Sequence, residues 1–211
     1  MSDARIGRVL VASLHQAIAD VLPTRLEFYE NWLNVAGLRE GTIGLAPLMA
    51  VISFLRTEGD PYFPVVASAG RYAAEWTVRG LPKLERRLTA ALPVPLRSWA
   101  ALRTVRSLVR ATYPGTRAII RFRRSVASID LRGSLFCEVR DPSPLPLCGY
   151  YAAAIGRLLE LFDLRAVARV VECRAAGGGR QCLLSVSVER MVPTAVADEA
   201  GAAQGGAAQD G

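Results

Sequence analysis

Apolar positions in residues 1–23 fall at Ile6, Val9, Leu10, Leu14, Ile18, Val21 and Leu22, the three-to-four spacing of an amphipathic helix. His15, Gln16 and Asp20 interrupt the run, so it does not read as the apolar centre of a secretory signal. A short second helix is predicted over 24–33, followed by a turn region over 34–44. The most apolar stretch, 43–55, is broken by Pro47 and closed by Arg56. At about 13 residues it is too short to cross a bilayer, which takes about 20, and a buried helix running to about 57 is the better reading. Pro47 suits the first turn of that helix. Asp60-Pro61 opens another, with Val65, Val66, Ala69, Tyr72, Ala73, Trp76 and Leu81 as its apolar face. Pro82, Pro93 and Pro95 punctuate the middle, and Ser98 reads as the cap of a helix over 99–111 that Tyr113-Pro114-Gly115 ends.

The period then changes. Residues 118–124 and 128–139 read as two strands joined near 125–127, with Gly133 marking a bulge or kink in the second. A loop over 142–146 leads to a helix over 148–162 with Ile155, Leu158, Leu159 and Phe162 inward. Two further strands, 166–174 and 181–190, flank Gly177-Gly178-Gly179. That glycine run reads as a hairpin turn, because no GK[ST] or GxGxxG pattern surrounds it and no helix follows. The expectation is therefore α+β, with N-terminal helices packed on a small antiparallel sheet and a ββαββ order in the C-terminal half. It is read as one domain over 1–190 and a disordered Ala/Gly/Gln tail over 191–211.

Composition narrows the chemistry. Half of the 211 residues are apolar, as a packed core requires, and the formal charge is +7. Lys83 is the only lysine, so 25 of the 26 basic side chains are arginine. That skew is either a GC-rich coding bias or the mark of an anionic partner. His15 is the only histidine, which removes every mechanism needing two, including HExxH zinc hydrolysis and C2H2 fingers. No GxSxG elbow, CxxC pair, Walker motif or dinucleotide fingerprint is present, and Glu27 and Glu30 form only an ordinary solvated pair. As an enzyme the chain is poorly equipped.

Four short pieces form an ordered set: Arg132-Gly-Ser-Leu-Phe-Cys-Glu-Val-Arg140, Pro146-Leu-Cys-Gly-Tyr-Tyr151, Val171-Glu-Cys-Arg-Ala-Ala-Gly177 and Gln181-Cys-Leu-Leu-Ser-Val186. Over roughly 115–188 they resemble the C-terminal half of the 4-vinyl reductase domain family. The resemblance implies a TRAPP-like fold, dimerisation through helices and a bacterial protein; with no secretory signal read, the four cysteines are expected in a reducing cytoplasm. It also implies non-catalytic binding of a hydrophobic or aromatic molecule, as in the hydrocarbon-sensing relatives. Two other roles remain open under it: a TRAPP-like adaptor between proteins, and an accessory factor to a tetrapyrrole vinyl reductase.

The resemblance further implies a structural zinc, with Cys148, Cys173 and Cys182 on the family's three cysteine positions. The family's glutamate position holds Val170 here. Glu172, next to Cys173 in a strand, should face the other way, and Cys137 is the replacement if its strand passes nearby. The alternative is four small buried thiols without metal. For the ligand, Phe54, Tyr72, Trp76, Trp99, Tyr113, Phe122 and Tyr150 are candidate pocket residues. Tyr72 and Trp76 form the preferred wall, beside Gly70, where a guest could approach the backbone. Arg103, Arg106 and Arg110 share a helix face, and Arg117, Arg121 and Arg123 a strand face. The arginines of 97–140 could thus meet an acidic protein partner, anionic lipid or a ligand carboxylate. Nothing resembles the basic-aromatic interleaving of an RNA-binding motif, which argues against nucleic acid.

Overall fold

The computed structural model describes residues 7–33, 44–123, 125–139, 142–177 and 181–188. Seven α-helices are formed among them: α1 Arg8–Val21, α2 Leu26–Leu33, α3 Leu45–Thr57, α4 Tyr62–Gly80, α5 Lys83–Ala91, α6 Val94–Thr112 and α7 Gly149–Glu160. Four strands, β1 Arg117–Arg123, β2 Val126–Arg132, β3 Ala166–Glu172 and β4 Cys182–Val188, make one antiparallel sheet in the order β1-β2-β4-β3. The class is α+β, with the helices on one face of the sheet.

Helix α7 is the central element. It packs most extensively on α4, which in turn packs on α1, and its other side rests on β3. The sequence explains the closeness of the first pair. The buried face of α4 carries Ala69, Gly70, Ala73 and Ala74, small residues that let another backbone come near. A Cβ on Gly70 would collide with the carbonyl oxygen of Tyr150. The space beside Gly70, read above as a place for a guest, is filled by the backbone of α7.

The strands alternate as a one-sided sheet should. Ala127, Ile129, Leu131, Leu184, Val186 and Val188 are buried under the helices. On β1 the inward residues Ala118, Ile120 and Phe122 are only half-buried, as befits an edge strand, and Arg117, Ile119, Arg121 and Arg123 on the other face are exposed.

Several boundaries differ from the sequence reading for identifiable reasons. Ser98 is not a cap: α6 begins at Val94, and the Ser98 hydroxyl donates to the Val94 carbonyl inside the helix. Pro95 is tolerated there because the first turn of a helix needs no N–H bond from it. Helix α5 lies between Pro82 and Pro93, where no element was expected, and it has no buried residue. Strand β2 stops at Arg132 instead of running to 139, because Gly133 takes a positive φ of 70° and redirects the chain. The following 3-10 turn, Leu135–Cys137, buries all three of its side chains. Residues 1–6, 34–43, 124, 140–141, 178–180 and 189–211, including the tail and most of the glycine run, lie outside the described residues.

Candidate metal centre and ligand groove

Four segments deliver one sulfur each to a common point. Cys137 comes from the turn after β2, Cys148 stands immediately before α7, Cys173 follows β3, and Cys182 opens β4. Cys137 Sγ lies 3.0 Å from Cys148, 3.5 Å from Cys173 and 3.4 Å from Cys182, and Cys148 lies 3.6 Å from Cys173. All four sulfurs fall within 4.8 Å of one another, and all four residues are buried.

The arrangement fits a metal. A tetrahedral zinc with Zn–S bonds of about 2.3 Å spaces its sulfurs about 3.8 Å apart. The thiols here are close to that spacing, and among the described residues their sulfurs meet mainly one another. Leu147 N–H points at Cys173 Sγ at 3.4 Å, and Arg174 donates to the Cys137 carbonyl at 3.4 Å and to the Glu138 carboxylate. The guanidinium therefore stands where four thiolates would leave excess negative charge. Hydrogen bonds from Cys137, Cys148 and Cys182 hold the Cys173 thiol well below its ordinary range, and the Leu147 N–H adds to this. Bonds from Cys137, Cys173 and Cys182, with burial, push Cys148 the other way. A surface depression of about 380 Å³ lined by Ser134, Arg174, Gln181 and Cys182 reaches the cluster from outside. Glu172 is exposed on β3, beyond a bulge between Val170 and Glu172. Cys137 completes the set from a turn, not from the strand expected to carry it. Neither the Arg174 guanidinium nor the Leu147 N–H was singled out from the sequence, because both act through backbone positions that only the folded turn defines.

The candidate ligand residues are distributed over several places. Phe54 packs edge-on to Phe28 and Trp32, with ring centroids 5.3 Å away in each case. Tyr72 stacks on Trp76 at 5.8 Å, and its hydroxyl donates to Asp20 of α1. Tyr113 is half-buried at the end of α6. Tyr150 is fully buried, stacked on Phe136 at 4.9 Å and edge-on to Tyr151 at 5.2 Å. Burial pushes its phenol up to about 12, against the opposing pull of the Ser13 and Thr112 hydroxyls.

Phe122 stands apart from these. With Ile120 of β1 and Trp99, Leu102, Arg103 and Arg106 of α6 it lines a groove of about 550 Å³ where the helix crosses the edge strand. Arg106 Nη2 donates to the Ile120 carbonyl at 3.4 Å, pinning one guanidinium across the groove. The signal for this site was divided between two periods, i, i+4 and i+7 for Trp99, Arg103 and Arg106 and i, i+2 for Ile120 and Phe122, so it showed only once helix and strand were packed. The arginines that seemed able to form one surface are split. Arg103 and Arg106 of α6 line the groove, whereas Arg117, Arg121 and Arg123 alternate with the residues β1 turns toward α6.

His15 Nε2 lies 2.7 Å from Glu30 Oε1, a pairing of α1 with α2 at the surface. No second titratable partner among the described residues turns it into a catalytic device.

Comparison with solved structures gives a fold relative. An Fe(II) unliganded H-NOX protein mutant from K. algicida aligns with a TM-score of 0.56 at 11% identity, covering 89% of this chain and 98% of that one. The likeness shows the fold. No protein family and no curated protein matches the chain. No helix among the described residues is long and apolar enough to cross a membrane.

Proposed function

We propose that this chain is a small-molecule-binding domain of the 4-vinyl reductase type, a sensor or carrier that holds a hydrophobic or aromatic guest without transforming it. The observation that carries the reading is the groove between α6 and β1. Its two aromatic walls come from different elements, and its volume of about 550 Å³ falls in the range of small-ligand sites. The fold relative supports the class of function, since its name describes an iron protein without its ligand. The four thiols serve this domain as a structural centre. Zinc held by Cys137, Cys148, Cys173 and Cys182 would tie the β2 turn, the start of α7 and the β3-β4 end into one rigid unit, adding folding free energy and no reaction chemistry. Four free thiols suit a reducing compartment, and we place the protein in the cytoplasm.

The test is ligand-detected NMR on the purified protein with an uncharged aromatic probe, 2-naphthol. Saturation transfer to the probe, with the probe recovered chemically unchanged, supports binding without turnover. No transfer at millimolar concentration from either 2-naphthol or its carboxylate analogue 2-naphthoate contradicts it.

A second reading, a homodimeric or adaptor protein, has its own observation. Leu84 and Leu88 of α5 are 69% and 61% exposed, and Leu96 and Trp99 at the start of α6 are 55% and 60% exposed. Such a run of large apolar side chains marks a surface that another protein covers. Sedimentation of wild type against Leu84→Glu/Leu88→Glu decides it: a dimer that dissociates in the variant supports this role, and a monomer in both removes self-association.

A further inference from the structure

We propose that the groove between α6 and β1 selects an anionic aromatic guest, with an aryl carboxylate as the ligand class. This rests on the binding role just given and names the chemistry of that site. Three observations carry it. Trp99, 60% exposed on α6, and half-buried Phe122 on β1 both line the groove, so an aromatic guest seated there would bury apolar surface against rings from two elements. Arg103 is exposed, and among the described residues no carboxylate pairs with it or with Arg106. Arg106 is oriented by its bond to the Ile120 carbonyl, which uses one N–H and leaves the rest of the planar fork for an acceptor in the groove.

Guanidinium groups match carboxylates in shape as well as charge, because two parallel N–H bonds meet two oxygens. A neutral arene of the same size would gain the stacking and forgo these charge-assisted bonds. An aliphatic carboxylate would gain the bonds and forgo the ring-on-ring contact. The chain's net charge of +7 adds long-range attraction for any anion approaching this edge.

The experiment compares 2-naphthoate with 2-naphthol by isothermal titration, on wild type, Trp99→Ala and Arg103→Gln. Both substituted side chains are exposed, and circular dichroism confirms that the variants fold. The expected result is that 2-naphthoate binds about tenfold or more tighter than 2-naphthol, a preference that shrinks in added salt and in Arg103→Gln. Trp99→Ala weakens both ligands. If 2-naphthoate binds no tighter than 2-naphthol, or the two variants bind both as wild type does, the inference is overturned while the binding role stands. If neither compound binds, both fall.

Discussion

Gly70 of α4 faces the backbone carbonyl of Tyr150 in α7 so closely that a single methyl group would have no room. That contact joins the helical half of the chain to the half that holds the thiols. Gly70→Ala should therefore force the two helices apart, and the expected loss is about 1–3 kcal/mol, with Gly70→Val at or beyond the upper end. Urea titration followed by circular dichroism measures it. An unchanged midpoint would show that the helices do not pack as described.

The thiol cluster makes a compositional prediction. Protein purified without chelator should carry one zinc per chain, released as the thiols are titrated with a mercurial in the presence of a colorimetric zinc indicator. Cobalt substitution should give the absorption of a tetrahedral thiolate site. Cys137→Ser should lower metal affinity and melting temperature together, because a hydroxyl is a poorer zinc ligand than a thiolate. A metal-free protein whose melting temperature ignores chelators would leave the four cysteines as packing residues.

Buried phenols set the alkaline limit of the fold. Burial, outweighing the hydroxyls of Ser13 and Thr112, raises Tyr150 from 10.0 to about 12. It likewise raises Tyr62 and Tyr151. Because the folded-state value lies above the unfolded one, the associated stability is complete below about pH 10 and is lost as pH climbs from about 10 to 12. For Tyr150 alone this corresponds to roughly 3 kcal/mol. Phenolate absorbance should rise together with unfolding over that interval. Early, reversible ionisation of all the tyrosines in the native protein would contradict the burial.

A charged clasp accompanies the Gly70 contact. Arg157 of α7 places Nε and Nη2 at 3.1 and 2.9 Å from Glu75 Oε1 on α4 and Nη1 at 3.2 Å from Glu160. The pair is partly solvated, so Glu75→Gln should cost only about 0.5–1 kcal/mol, and less at high salt. A double-mutant cycle with Arg157→Met reports the coupling, and a value near zero would mean that the clasp is ornamental.

Much of the fold could be read from the chain because burial follows period. Val65, Val66, Ala69 and Ala73 at helical spacing, and Ile129 and Leu131 at alternate positions, state which face is inward before any packing is known, whereas Ala127 was read in the join and belongs to β2. Helix α5 escaped because its leucines are exposed, and an amphipathic pattern cannot say whether its apolar side meets this chain or something else. The end of β2 escaped because Gly133, read as a bulge or kink inside a longer strand, adopts a positive φ and ends the strand instead. Cys148, Cys173 and Cys182 were legible as a set only through the family resemblance. That Cys137 joins them depends on the same glycine turn. The groove was the least legible feature: Trp99 and Phe122 are separated by the length of α6 and a turn, and each alone resembles core.

The most direct test of the whole account is native mass spectrometry of the gently purified protein, with and without added aromatic compound. The account predicts a chain carrying one zinc and a stoichiometric organic guest, either retained from the cell or taken up on addition and released unaltered on denaturation. A bare chain that acquires neither metal nor guest would contradict it.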